Sequence, residues 1–155
     1  MYYSWSEDLM IQRVFVDVAA GLGLAIAGQF VQLTASLIGP MLGIPMPYES
    51  APEDGSIPAA LLTQINAMFL LASVGMLILS FLLGWLLKTD GVADGLKRGA
   101  VWVAVVGLSQ FLLGLQPGVV QVFVLLGAWV YLLGILLGPV LAGLIGARRS
   151  APVES

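Results

Sequence analysis

The residues best equipped to bind something in this chain are amides: Gln29, Gln32, Gln64, Asn66, Gln110 and Gln121. A side-chain amide both donates and accepts hydrogen bonds, so this set can bridge neighbouring helices or line a path for a small neutral or cationic solute. It cannot supply a base or a nucleophile. Cysteine and histidine are absent altogether. That excludes a thiolate nucleophile and a cysteine metal site, and it removes the commonest general base and the usual axial haem ligand. No pair of carboxylates falls at mid-membrane depth either, so the chain is expected to be non-enzymatic and to hold no cofactor or metal.

Ionisable residues sit elsewhere. Arg13 and Asp17 are spaced i, i+4 and predict a snorkelling interfacial pair, with a proton or ion site at Asp17 as the alternative. Glu49, Glu53 and Asp54 resemble a hard-cation cluster but lack a calcium-loop pattern, which favours a solvated surface. Asp90-Gly91 and Asp94-Gly95 carry turn and helix-cap chemistry. A net charge of −3 with only six basic residues offers no stripe for nucleic acid.

The elements that position these groups are membrane helices. Gly99 to Ala147 contain no charged residue. As one helix this stretch would be about 74 Å long, against a hydrocarbon core of roughly 30 Å, so it must fold back on itself. Gln116-Pro117-Gly118 marks the reversal. Composition agrees: 59% of residues are hydrophobic, 10% are charged, and mean hydropathy is +1.01. The expected fold is all-α, a single membrane domain of four transmembrane helices in an up-down bundle.

The spans are expected at about 14–38, 59–87, 99–115 and 119–146, with an outer loop at 39–58 and an inner loop at 88–98. Ser4 and Glu7, at capping-box spacing, open the first helix. Ala25-Ile26-Ala27 resembles a signal-peptide cleavage site, but the preceding acidic residues outweigh Arg13, so the segment is retained as a span. Five prolines between Pro40 and Pro58 forbid a continuous helix there. Trp85 and Trp102 are expected to mark the inner interface.

Charge sets the orientation. With four spans, Arg13, Lys88, Lys97, Arg98, Arg148 and Arg149 all fall on one side, predicted to be cytoplasmic along with both termini. The amides then lie within roughly 14 Å of the outer boundary. Gln29, Gln32 and Ser36 share one helix face, and Thr63, Asn66, Ser73 and Ser80 share another; both faces are expected to point inward.

Small residues supply the other packing device. Ala19, Gly23 and Ala27 recur every fourth position near the start, and Gly134, Gly138, Ala142 and Gly146 do so near the end. One stripe is expected inside the bundle and the other against a second chain. Pro139 is expected to interrupt the last helix's hydrogen bonding.

These features predict a structural or accessory protein of the cell membrane. It would pack in the lipid bilayer with other membrane protein subunits in a larger complex or a membrane-containing virion. The alternative is a small oligomeric channel or transporter, a homo-oligomer using the outer amides as a vestibule.

Overall fold

A computed structural model describes residues 4–44, 59–113 and 125–150. Four long helices account for nearly all of them: α1 (Ser4–Ile38), α2 (Ala59–Leu86), α3 (Gly91–Leu113) and α4 (Leu126–Ser150). No strand occurs among the described residues. Three stretches, Met10–Leu42, Leu61–Leu86 and Leu126–Gly146, are long and apolar enough to cross a membrane. That is the character of a multi-pass helical membrane protein. α3 is not among them, because Asp94, Lys97 and Arg98 occupy its first two turns.

Each helix end has a local cause. Pro40 lacks an N–H and cannot continue α1. The chain tightens into a 3-10 helix, Gly39–Leu42, closed by Gly43 at φ 80°. The Gly43 and Ile44 amides donate back to Pro40 and Gly39 at 3.1 and 3.0 Å. The segment expected as a loop from residue 39 therefore begins as helical backbone.

At the other side α2 ends in a Schellman turn. The Thr89 amide donates to the Gly84 carbonyl at 3.0 Å and the Lys88 amide to the Trp85 carbonyl at 3.1 Å. The left-handed position, φ 51°, is filled by Lys88 where glycine is the usual occupant.

The helix α3 then begins at Gly91, eight residues before the span expected from the sequence, so Asp94-Gly95 is helical backbone and not a turn. The reversal at Gln116-Pro117-Gly118, and Gln121 with it, lie outside the described residues.

α4 packs along both α2 and α3, and α1 rests more lightly on the same two helices. Contact register gives the directions. On α2 and α4, Asn66 meets Gly127, Ser73 meets Gly134 and Ser80 meets Gly138, so these helices run parallel. On α3 and α4, Gly91 meets Gly143, Gly95 meets Val140 and Gly99 meets Leu136, so they run antiparallel. On α1 and α2, Gly39 meets Met68 and Val31 meets Gly75, again antiparallel, while Gly21 and Asp17 of α1 climb with Val105 and Arg98 of α3.

The two small-residue stripes part ways. Gly134, Gly138, Ala142 and the neighbouring Gly143 are buried, and Gly146 is half-buried, against α2 and the turn that follows it. Ala19 and Gly23 are exposed, Ala27 is half-buried, and nothing approaches Gly23. α1 makes its close contacts through Gly21, against Val105, and Gly28, against Tyr131 and Met76.

Trp102, expected at the interface, is fully buried in the core with Met76, Val106, Tyr131 and Ile135. Helix packing overrides the aromatic-belt preference there because α3 presents that face to the bundle interior. Trp85 remains on the outside, 37% exposed. Pro139 is buried against Gly84 of α2, and α4 continues through it.

Candidate functional site

Two polar groupings stand out, one at each end of the bundle. The one at the end of the Lys88 turn is ionic and was hidden in the sequence. Arg98 donates through a terminal guanidinium nitrogen to the Asp17 carboxylate at 2.9 Å and through Nε to Asp94 at 3.1 Å. Asp17 therefore pairs across helices with α3, and the local Arg13 pairing expected from i, i+4 spacing is displaced. The reason is geometric: Asp17 lies on the buried face of α1 whereas Arg13 is exposed. Both side chains of the Arg98–Asp17 pair are about nine-tenths buried, at 9% and 12% exposure. A guanidinium with two carboxylate partners satisfies donors that lipid cannot.

Asp94 is held from a second direction. It accepts the Asp90 backbone N–H at 3.1 Å, tying the residue before α3 to the helix's first turn. Partial burial works against its charge, but the Asp90 amide, the Arg98 hydrogen bond and the Arg98 and Arg13 charges outweigh that, and its carboxyl stays below the usual value of 3.8. The indole N–H of buried Trp102 lies beside Asp17, looser than a formed hydrogen bond.

The grouping at the opposite end contains the amides. Asn66 is half-buried and its Oδ1 accepts the Gly127 amide N–H at 2.6 Å. It thereby caps α4 from α2, since the first N–H groups of any helix have no intrahelical partner. Gln64 is buried. Gln32 and Gln110 are half-buried, with their amide nitrogens enclosed and making no hydrogen bond among the described residues. The buried Tyr131 hydroxyl lies beside the Gln32 amide without hydrogen-bond geometry.

Gln29 departs from expectation: it is exposed, because α1 turns Gly28 and Gln32, not Gln29, towards its neighbours. The face shared by Gln29, Gln32 and Ser36 is thus split between interior and exterior.

The hydroxyls are mostly consumed locally. Thr34, Ser36, Thr63, Ser73 and Ser109 each donate to a carbonyl one turn back on their own helix. Ser80 differs. Its hydroxyl lies 3.1 Å from both the Leu77 carbonyl and the Gly134 carbonyl of α4, so it can donate across the helix pair. A methyl at Gly138 would collide with that hydroxyl.

Sequence reasoning also missed Gly91, Gly95 and Gly99. They recur every fourth residue and seat α3 on the backbone of α4 at Gly143, Pro139 and Leu136. The spacing was visible, but two of the three follow aspartate, and Asp-Gly reads as turn chemistry. Arg98 carried no comparable signal.

Among the described residues no group of acidic or imidazole side chains gathers as a metal site. No family model matches the chain, and comparison with characterised proteins and with solved structures finds no match.

Proposed function

We propose that this is a structural or accessory membrane protein that crosses the cell membrane four times in alternating directions with both termini cytoplasmic. Its outer surface is offered to other membrane proteins of a larger assembly. The topology rests on charge: all six basic residues fall on the side of the Lys88 turn and the acidic 39–58 segment on the other.

One observation carries the functional reading. Polar side chains on three of the helices join them to one another: Asn66, from the amide set, caps α4, Ser80 reaches Gly134, and Arg98 binds α1 through Asp17. The surface left for a partner includes the outward face of α1, with Ala19 and Gly23 exposed among bulky side chains such as Leu22 and Ile26.

Native mass spectrometry of the species extracted in mild detergent tests this. A fixed-stoichiometry complex with other polypeptides is the expected result, and a homo-oligomer without partners would overturn it. Orientation is checked separately in the cysteine-free background: Ser56→Cys reacts with an impermeant thiol reagent outside, and Ala93→Cys does not.

The enclosed, unbonded amide nitrogens of Gln32 and Gln110 favour a second reading, a small channel or transporter with an outward vestibule. Under it, Gln32→Leu abolishes solute flux in a protein that still folds; under the first reading the same change alters stability alone.

A further inference from the structure

The turn after α2 leaves a cleft of about 610 Å³ between the end of α2 and the last turns of α4, within the range of roughly 300–1,000 Å³ typical of ligand sites. Its composition is graded. Trp85, Leu86 and Ala142 supply an apolar wall, while Lys88, Thr89 and Asp90 form a polar rim. Gly146 forms part of the lining, and a methyl there would already press on the Thr89 carbonyl at 3.1 Å, so the residue keeps that end open.

Three features match one ligand chemistry. Lys88 and Asp90 are exposed, so an ammonium and a carboxylate stand at the mouth together. Arg148 and Arg149 come two and three positions after Gly146 in the chain, so the sequence that leaves the cleft is basic. The helix-end carbonyls of Gly84 and Trp85 are occupied by the Schellman turn, and Gly84 also accepts the Thr89 hydroxyl at 2.8 Å. The Gly84 carbonyl thus has both lone pairs engaged and the Trp85 carbonyl one, which weakens the negative end of α2 that an anion would meet.

We propose that this cleft binds one anionic glycerophospholipid of the inner leaflet that carries a hydroxylated headgroup. The phosphate meets Lys88, a headgroup hydroxyl donates to the Asp90 carboxylate, and the glycerol and upper acyl chains lie on Trp85, Leu86 and Ala142. Basic clefts between helices on the cytoplasmic side are suited to such headgroups. The assignment to the inner leaflet rests on the topology proposed above; the binding itself does not.

The test is native mass spectrometry of the whole protein in mild detergent with phosphatidylglycerol or phosphatidylcholine added. The wild type is expected to retain a single phosphatidylglycerol in preference to phosphatidylcholine. Lys88→Gly and Lys88→Asn both tolerate the left-handed backbone, and each should lower that retention about fivefold, the effect of removing one basic charge near an anionic headgroup. Lys97→Gln removes an equal charge from exposed α3 surface outside the cleft and should change retention little.

Equal losses in the Lys88 and Lys97 variants, or no preference for phosphatidylglycerol, would overturn the site. Displacement by soluble glycerol 3-phosphate would overturn the lipid as its source. Because detergent has no inside or outside, these results stand apart from the thiol-labelling test of orientation.

Discussion

Arg98 of α3 donates to the Asp17 carboxylate of α1 at 2.9 Å, joining residues 81 positions apart at the end of the bundle that carries the Lys88 turn. Both are largely buried, so removing one partner strands the other. Arg98→Met is expected to destabilise the protein by about 3 kcal/mol, the usual scale for breaking a buried pair. The double variant Asp17→Leu, Arg98→Met should recover much of that loss. Thermal unfolding in detergent checks it, and strictly additive effects would show that the two groups are not coupled.

Glycine positions on the two stripes should respond with opposite sign. At Gly138 an added methyl meets the Ser80 hydroxyl and, at 2.5 Å, the Phe81 amide nitrogen, so Gly138→Ala forces α2 and α4 apart. At Gly23 there is open space, and Gly23→Ala should stabilise α1 by up to about 1 kcal/mol through helix propensity. Unfolding temperatures of the two variants, measured side by side, decide the matter.

Lys88 holds a left-handed backbone conformation that costs a non-glycine residue about 1–2 kcal/mol. Lys88→Gly is therefore expected to raise stability by about 1 kcal/mol while keeping the Schellman turn. A lower unfolding temperature would mean that the lysine side chain contributes more than its backbone strain.

Asn66 caps α4 from another helix, so its loss should be felt at Gly127. Asn66→Ala is expected to cost about 1 kcal/mol, the typical value for a helix cap. Hydrogen exchange at the Gly127 amide should accelerate, whereas exchange deep in α4, near Ile135, should change only with global stability.

Acid should reveal Asp94. Its carboxyl is held below 3.8, so the folded form binds a proton less readily than the unfolded chain. That contribution is fully present above pH 3.8 and is lost as pH falls through the lower folded value. Asp94→Asn should flatten the fall in stability that sets in as pH drops below 3.8, as monitored by thermal unfolding.

Hydropathy made the three apolar helices legible, because lipid demands internally bonded backbone over a fixed length. It located α2 to within a residue of its observed ends. The α4 stripe was legible as a packing device, yet its partner was not, since pairing Gly134 with Ser73 and Gly138 with Ser80 depends on a register between separate helices. Asp17 shows the limit clearly. Sequence spacing offers Arg13 one turn away, but burial selects Arg98, and only the bundle's geometry decides which face of α1 is covered. Trp102 shows the same dependence on packing: its place near a span's end was legible, but not that neighbouring helices would close over it. Gln32 was correctly placed inward while Gln29, three residues away, was not, because α1 has a narrow contact face.

The long separation between Asp17 and Arg98 also orders events during synthesis. α1 is made first, and its carboxylate must wait 81 residues for the guanidinium that neutralises it. An unpaired acid at depth in hydrocarbon is costly, so the nascent α1 rests with Asp17 at headgroup level until α3 arrives. Docking of α1 through this pair therefore cannot precede the synthesis of α3, whatever the order in which the remaining helices join.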